Sequence, residues 1–496
     1  MSGGSMVALR VGRAWAPARV AIPVLALALV ALGLLFGADG MAAVRVWLAS
    51  TAYNHCFLVI PIAAFLAYER RDRMAGVPVR PWPWAALLVL PLAAAWLVAE
   101  RVGVMEGRQL IAMAVVQVLF LGVLGPRLCR VLAAPLLYLF FLVPFGGFLT
   151  PALQSFTSQF VTHGLDLFGI PNYTDANMIE IPQGTFYVAE ACAGLRFLIA
   201  AIAFGVLYAL VIYRSPGRRI TFVAVSLVVP VIANGLRALG IVTLGNLIGS
   251  ARAAATDHVL YGWLFFSIVL LLLILLGLPF RQDAPVRRVP VVAAPAPRVA
   301  AAGVAAAVVV LVAAIGPAAA SVLDRSAGAT PAVRLALGGA CREAAPGRDA
   351  PGLLVRTIAC GGHRLTVRVQ AFPARTDPGR IVSAENRVSA PLGAEDVMTQ
   401  GLAVAGAAPG TWRIVRSQMP DRTVAVALWV GGRPSGTGLA MRLGQARASL
   451  LGGSAAAPVL ATVEPAATDA AAAMQALRAF FEAEPDVTSA LSRAAQ

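Results

Sequence analysis

Residues 190–213, EACAGLRFLIAAIAFGVLYALVIY, place a cysteine and an arginine at the start of an unbroken apolar run. A run of about 20 apolar residues is long enough to cross a bilayer as a helix. Cysteine reacts as its thiolate, and a nearby positive charge favours that form. The stretch therefore predicts a membrane-spanning helix with Cys192 and Arg196 near one end, and it suggests cysteine chemistry at a membrane surface.

The composition of the whole chain supports a membrane protein. Hydrophobic residues make up 59% of the chain and charged residues only 13%, against about 25% charged residues in soluble proteins. The mean hydropathy is +0.78. We predict an all-α polytopic bundle of about eight core spans plus a ninth, followed by a small extracytoplasmic α+β domain. Spans are predicted at residues 17–37, 52–68, 82–99, 109–125, 131–149, 191–213, 220–247, 259–280 and 299–320.

The arginines predict the orientation. The chain has a net charge of +16 and contains no lysine. If the N-terminus is cytoplasmic, sixteen arginines lie in or beside cytoplasmic segments, and only Arg45, Arg101, Arg108 and Arg252 lie in the opposite loops. Because basic residues concentrate on the cytoplasmic side, this bias predicts a cytoplasmic N-terminus. The positive charge then reflects membrane topology, and no nucleic-acid partner is predicted.

Changes in composition predict four segments. These are a membrane domain at residues 1–280, a Pro- and Arg-rich cytoplasmic linker at 281–298, a ninth helix at 299–320 and an extracytoplasmic domain at 321–496.

Patterns within the last segment predict its α+β character. Alternating apolar residues predict strands at 363–372 and 423–430, and composition predicts helices at 441–451 and 470–484. Cys341 and Cys360 fall in the exported segment, where an oxidising compartment permits a disulfide, and the sequence leaves their pairing open.

Three chemically capable side chains are predicted to lie at similar depth. Cys192 is placed at the outer end of the sixth span, Arg237 in the outer half of the seventh and His258 at the outer start of the eighth. An arginine inside a span is costly and is normally retained for a partner or a function. A thiolate, a histidine base and a fixed cation form a set suited to acyl transfer.

Structural roles remain alternatives at each position. A lone cysteine near a helix end is usually a packing residue. A histidine at a span boundary usually anchors the helix at the membrane interface. Arg237 could form an ion pair with Glu190. Glu190 could also orient Arg237 or His258, or be solvated. Arg196, four residues after Cys192, is predicted to share its helix face or only to bond a backbone carbonyl. The shared depth favours the functional interpretation. No metal site and no cofactor are predicted.

Three motifs resemble the signatures of the exosortases, with the archaeosortases more distantly related. They are Glu190-Ala-Cys-Ala-Gly-Leu-Arg196, Asn234-Gly-Leu-Arg237 and His258-Val-Leu-Tyr-Gly262. The resemblance covers about residues 20–280. The last segment, residues 321–496, is called the tail below. It resembles the domain associated with methanolan-type exopolysaccharide biosynthesis that accompanies A-type exosortases. This resemblance rests on Thr411-Trp-Arg and Leu428-Trp-Val-Gly-Gly.

This resemblance implies a multi-pass inner-membrane cysteine transpeptidase or protease, with its active site and tail in the periplasm. Its implied substrates are exported proteins with a C-terminal Pro-Glu-Pro signal, a transmembrane helix and a basic tail. Cys192 would be the nucleophile that forms a thioester, Arg237 the stabiliser of the thiolate or transition state, and His258 the acid and base. Asn234 would support them. Ala193 departs from the serine of many relatives, but it removes no proposed catalytic group.

Two other classes of function compete with this one. A non-catalytic membrane component of exopolysaccharide synthesis or export would use Arg237 to bind an anionic lipid-linked sugar, and Cys192 would be incidental. A transporter is less favoured because the sequence shows no inverted repeat and few intramembrane acids. The predicted partners are exported substrates, the lipid bilayer, and exopolysaccharide or its assembly machinery.

Overall fold

The chain forms two compact units in a computed structural model. Unit 1 comprises Met1–Val89 and Gln109–Leu311, and unit 2 comprises Leu90–Arg108 and Val312–Gln496. The structure describes residues 16–74, 77–189, 192–248, 258–282, 299–326, 328–335, 337–345, 347, 349–389, 398–405, 407–417, 422–436, 438–451, 457–467 and 469–494. The described side chains exclude those of residues 16–20, 248, 258–261, 263, 389, 398, 399 and 417.

Helices dominate the chain up to residue 325. They are α1 Ala16–Leu35, α2 Gly37–Ala49, α3 Cys56–Tyr68, α4 Arg71–Met74, α5 Val89–Val102, α6 Met105–Leu124, α7 Pro126–Val131, α8 Ala133–Tyr138, α9 Thr150–Leu167, α10 Leu195–Ile212, α11 Pro216–Ile248, α12 His258–Gly277, α13 Val299–Ala313 and α14 Ile315–Arg325. Short 3-10 turns join several of them, at Thr51–Tyr53, Pro83–Leu88, Leu139–Leu142, Gly147–Leu149 and Leu278–Phe280.

Many of these helices can cross a membrane. Among the described residues, six are long and apolar enough: Thr51–Tyr68, Pro83–Val102, Met105–Leu124, Leu195–Ile212, Pro216–Leu247 and Val299–Arg325. Two bent pairs raise the number to eight, Ala21–Leu35 with Gly37–Ala49 (83°) and Ala133–Leu142 with Gly147–Leu167 (64°). Leu264–Phe280 is a shorter apolar helix. A multi-pass membrane protein is thus confirmed, whereas the number nine stays a prediction.

The predicted spans at 17–37 and 131–149 differ from straight helices. Each falls in one of the bent pairs. In the second pair the chain breaks at Gly146, whose φ of +116° lies in the region that favours glycine, and Pro144 precedes it. The apolar composition of this segment is continuous, so the sequence alone did not reveal the break at Gly146.

Between the predicted spans at 131–149 and 191–213 the sequence predicts an outward loop, about residues 150–190, but residues 150–189 are mostly helix and strand in the structure. Helix α9 occupies Thr150–Leu167, with a proline in its first turn, where the missing N–H costs no helical hydrogen bond. An antiparallel sheet follows, with strands β1 Tyr173–Asp175, β2 Met178–Ile181 and β3 Gly184–Tyr187. The expectation of a loop was wrong because buried polar side chains gave this helix a low overall hydropathy.

Unit 2 contains an antiparallel sheet flanked by helices. The strands are β4 Arg342–Ala345, β5 Asp349–Ala350, β6 Leu353–Cys360, β7 His363–Ala371, β8 Met398–Leu402, β9 Trp412–Ser417, β10 Arg422–Val430, β11 Arg433–Ser435 and β12 Val459–Pro465. The helices are α15 Pro378–Ser389, α16 Leu439–Leu451, α17 Ala470–Ala483 and α18 Val487–Ser492. The strand order is β4-β6-β7-β12-β10-β9-β8, with β5 beside β6 and β11 beside β10.

Both faces of the central strands are buried. One face packs against Leu477, Phe480 and Leu491 of α17 and α18, and the other against Ile381 of α15 and Met441 of α16. Elements that the sequence predicted at 363–372, 423–430, 441–451 and 470–484 are confirmed as β7, β10, α16 and α17. The mixed α and β character of the tail follows from this three-layer packing.

The start of the tail is fixed to the end of α17. Cys341 forms a disulfide with Cys360. The backbone N–H groups of Cys341 and Gly338 donate to the two carboxylate oxygens of buried Glu484, at 3.0 and 2.5 Å. A buried carboxylate is retained where such donors compensate its lost hydration, so this contact fixes one edge of the sheet to the helical layer.

Phe480→Ala tests this packing, because the Phe480 side chain is fully buried among the residues of α17, α18 and the sheet. We expect the free energy of unfolding of unit 2 to fall by about 3–5 kcal/mol. The measurement is the temperature at which the tail of the full-length protein becomes sensitive to protease in detergent. Leu439→Ala, at a side chain that is 62% exposed, is the matched control, and an equal effect of both changes would contradict the packing described.

Candidate active site

Cys192 lies just before helix α10 rather than within it. The helix starts at Leu195, and Gly194 precedes it with φ +79°, while the Cys192 N–H donates to Ala189 O at 2.8 Å. The expectation that Cys192 and Arg196 share a helix face is therefore wrong, because spacing by four residues has this meaning only inside a helix. The half-buried Cys192 side chain packs beside an apolar cluster that includes Val161.

The amide of Asn234 holds the residues around Cys192 together. Its Nδ2 donates to the backbone O of Cys192 at 2.8 Å and to Thr157 Oγ1 at 3.3 Å. Its Oδ1 accepts from Arg237 Nη2 at 3.2 Å. Asn234 is only 3% exposed, so both the donor and the acceptor of its side chain are engaged inside the protein. Two of the three sequence motifs thereby come into direct contact.

Glycines permit this close approach. A Cβ on Gly194 would lie 2.5 Å from Asn234 Cγ, and one on Gly235 would lie 2.8 Å from Phe160 of α9. Contacts of that length are incompatible with a side chain unless the backbone moves. A glycine is therefore required at position 194 for two reasons: the positive φ and the proximity of Asn234.

Arg237 lies against an aromatic pair and the start of α12. Its guanidinium carbon is 5.5 Å from the ring centroid of Phe197, which stacks on Phe266 at 4.8 Å. A Cβ on Gly262 would lie 3.9 Å from Arg237 Nη1. Since His258 precedes Gly262 by about one turn of the same helix, the third motif also comes to this region. The His258 side chain itself lies outside the described part of the structure.

Of the predicted supporting residues Arg196 and Glu190, the structure describes only Arg196. Arg196 approaches the same aromatic ring as Arg237, with its guanidinium carbon 5.4 Å from the Phe197 centroid. Glu190, a predicted orienting residue, lies outside the described residues. The roles assigned to Arg196 and Glu190 stay predictions.

Polar residues of α9 form part of the site, and the sequence analysis missed them. Gln154 Nε2 donates to Val188 O at 3.1 Å, and Ser158 Oγ donates to Ala176 O at 2.9 Å. Gln154, Thr157 and Ser158 are all buried. The bonds of Gln154 and Ser158 tie the segment before Cys192 to α9. Polar residues at intervals of three and four on an otherwise apolar helix are the signal that could have revealed them.

The described residues contain no group of three or more His, Cys, Asp or Glu side chains placed to hold a metal ion. What they do bring together is a half-buried thiol at the N-terminal end of α10 and a guanidinium bridged to its backbone by one amide. A helix N-terminus and a buried cation both favour anionic groups nearby. This arrangement is suited to chemistry in which negative charge develops on sulfur or oxygen.

Part of the chain matches a known protein family. Residues 47–275 match the family model described as transmembrane exosortase (Exosortase_EpsH). The matched range contains Cys192, Asn234, Arg237 and the start of α12. No curated protein and no solved structure shows a significant match to the chain. The match supports assignment of residues 47–275, in the membrane region, to the transmembrane exosortases.

Proposed function

We propose that the protein is a membrane cysteine transpeptidase or protease that cleaves exported proteins near a C-terminal Pro-Glu-Pro sorting signal. The observation that carries the proposal is the amide of Asn234, which joins the Cys192 carbonyl at 2.8 Å to the Arg237 guanidinium at 3.2 Å. A buried amide shared by a nucleophile candidate and a cation gives those two groups a fixed relation, and catalysis by positioned groups requires such a relation.

In the proposed reaction, His258 removes the proton from the Cys192 thiol. The thiolate attacks the scissile carbonyl carbon, a carbon–sulfur bond forms, and the carbonyl oxygen becomes an oxyanion that Arg237 stabilises. Collapse of this tetrahedral species breaks the carbon–nitrogen bond, and the protonated His258 gives its proton to the departing amine. The membrane anchor leaves, and the exported part remains as a thioester on Cys192.

An acceptor then resolves the thioester. His258 takes a proton from an amine or from water, the acceptor attacks the thioester carbonyl, and Cys192 leaves as a thiolate that recovers a proton from His258. An amine acceptor gives transpeptidation and water gives hydrolysis. The residues at Cys192 serve either acceptor.

Further support comes from the position of the nucleophile. Cys192 precedes α10, a helix of 18 residues, whose N-terminus carries a partial positive charge. Gln154 and Ser158 fix the segment that precedes it. A nucleophile on a fixed segment beside a positive helix end is suited to repeated attack in a single orientation.

The cellular setting belongs to the same proposal. The arginine bias supports a cytoplasmic N-terminus, with Cys192 and the tail on the periplasmic side of a bacterial inner membrane. The tail is proposed to be the domain that accompanies A-type exosortases, and the protein is proposed to act together with exopolysaccharide production.

Cys192→Ser tests the central claim. The wild type and the variant are each co-expressed with a tagged exported protein that bears a C-terminal Pro-Glu-Pro signal, and the size and membrane retention of that protein are followed by blot. We expect the wild type to shorten the substrate and Cys192→Ser to leave it at full length, because a hydroxyl is a far weaker nucleophile than a thiolate.

Cys129→Ser is the control, since Cys129 is a free cysteine outside the motifs. Normal processing by Cys192→Ser at equal expression would overturn the cysteine mechanism. It would favour a non-catalytic role in exopolysaccharide synthesis or export, in which Arg237 binds an anionic lipid-linked sugar.

Asn234→Asp separates the bond that the amide accepts from the bonds that it donates. The carboxylate keeps an acceptor for Arg237 but loses the N–H donor to the Cys192 carbonyl. We expect cleavage to slow by about a hundredfold, as a misplacement of the nucleophile by roughly 1 Å can cause. The rate is measured by a time course of substrate shortening. Thr157→Val, which removes only the 3.3 Å contact, should have a smaller effect, and an unchanged rate in Asn234→Asp would contradict the positioning role.

Gly194→Ala tests the close approach between Gly194, just before α10, and Asn234 of α11. An alanine at φ +79° costs about 1–3 kcal/mol in strain, and its Cβ would collide with Asn234. We expect expressed, membrane-inserted protein with little cleavage, measured by the same blot. Gly217→Ala is the matched control, because no atom lies within 4 Å of the added Cβ. Equal activity in the two variants would show that the approach is not needed.

A further inference from the structure

Unit 2 contains a large cavity that plays no part in the proposed cysteine chemistry. Its volume is about 630 Å³, and all of its lining residues belong to unit 2. One wall comes from the region between α5 and α6, and the opposite wall comes from the end of β7 and the start of α15. Small-molecule sites typically have volumes of about 300–1,000 Å³, so this cavity has the size of a ligand site.

The charge on the cavity wall is positive. Four arginines line it, against two carboxylates, Glu100 and Asp377. Glu100 forms an ion pair with the fully buried Arg101 at 2.5 Å, so its charge is already compensated. The arginines are Arg108, Arg380, Arg387 and Arg442.

Two of these arginines are fixed and two are exposed. The Arg108 guanidinium carbon lies 5.0 Å from the Trp96 ring centroid, and Arg442 Nη1 donates to Gly103 O at 3.0 Å. Arg380 and Arg387 stand on α15 with exposed side chains. A guanidinium binds a carboxylate through two parallel hydrogen bonds, so the wall suits an anionic ligand.

A buried hydroxyl in the cavity wall points to the same conclusion. Thr376 is 3% exposed, and its Oγ1 has no hydrogen-bond partner among the residues that the structure describes. Its backbone oxygen accepts from Gln445 Nε2 at 3.0 Å, so the residue is held in place. Buried hydroxyls nearly always find a partner. A bound ligand with hydroxyl groups would supply one.

The carboxyl of Asp377 adds a hydrogen-bonding group to the cavity wall. Burial raises the pKa of its carboxyl, while the Gly379 N–H, at 2.9 Å from Oδ1, and the guanidinium groups of Arg101 and Arg108 oppose that rise. The carboxyl can accept a hydrogen bond from a ligand hydroxyl, and it does not cancel the positive charge of the four arginines.

The backbone around the cavity argues against an added peptide strand. Leu353 pairs with Gln370 across β6 and β7, and the Ala371 N–H donates to Gly352 O at 2.8 Å. An extended peptide binds by pairing with an unpaired strand edge, and these backbone groups are already paired. Recognition must therefore come from side chains, with Phe372 and Pro373 as an apolar surface.

We infer that this cavity binds an acidic saccharide, in which carboxylates meet the arginines and hydroxyl groups meet Thr376, Gln370 and Ser383. The sugar ring has an apolar face for Phe372 and Pro373, and a unit of two or three sugars matches the size of the cavity. The inference does not depend on cysteine chemistry, because it uses none of the residues near Cys192.

The test is calorimetric titration of the full-length protein in detergent with trigalacturonate, and with maltotriose as the neutral probe. We expect saturable binding of trigalacturonate that weakens with added salt, and none of maltotriose. Arg380→Gln combined with Arg387→Gln should weaken binding about tenfold or more. The control combines Arg433→Gln with Arg478→Gln, two exposed arginines outside the cavity lining, and should bind like the wild type.

Thr376→Val separates a ligand contact from a structural role. Removing an unpartnered buried hydroxyl should leave the temperature of unfolding unchanged or higher, yet binding should weaken severalfold. No binding of trigalacturonate, equal loss in both arginine pairs, or tighter binding of a glutamate-rich peptide would overturn the inference. Cys192→Ser should bind normally, so failure of the cysteine mechanism and failure of this site are distinguished.

Discussion

The side-chain amide of Asn234 is the contact on which the membrane site depends. It connects three segments that are distant in the chain: α9 through Thr157, the segment before α10 through Cys192, and its own helix through Arg237. Water is scarce at such a position, so each polar atom requires a protein partner. Because one amide meets all these demands at once, the segments cannot shift independently, and Gly194 and Gly235 are the residues that allow them to approach.

A buried cation organises unit 2 in a comparable way. Arg101 is fully buried and contacts Glu100, Asp324, Ser449 and Ala320 O. Removing one partner of a buried ion pair typically costs about 3–5 kcal/mol, so this arginine constrains the helices that meet there. Charged and polar groups thereby specify geometry in both units, while apolar burial supplies most of the stability.

Sequence alone predicted the features that depend on composition or strict periodicity. Long apolar runs gave the helices, and the alternation of Leu365, Val367 and Val369 gave β7. Features set by one backbone angle were missed. Gly194 has a positive φ, so α10 begins only at Leu195 and Cys192 lies outside the helix. Helix α9 was missed because its buried face carries the polar residues Gln154, Thr157 and Ser158, which form hydrogen bonds within the protein. The cavity of unit 2 could not be foreseen, since residues near 100 and near 376 meet only in three dimensions.

The strand order of unit 2 has a consequence for the timing of folding. Strand β12 lies between β7 and β10, so the middle of the sheet is formed by the last of the described strands in chain order. Before residues 459–465 emerge, β7 and β10 lack a common neighbour and each keeps an open edge. Such late, long-range pairing slows folding. The two halves of the sheet, β6 with β7 and β9 with β10, can therefore be joined only when residues 459–465 are present.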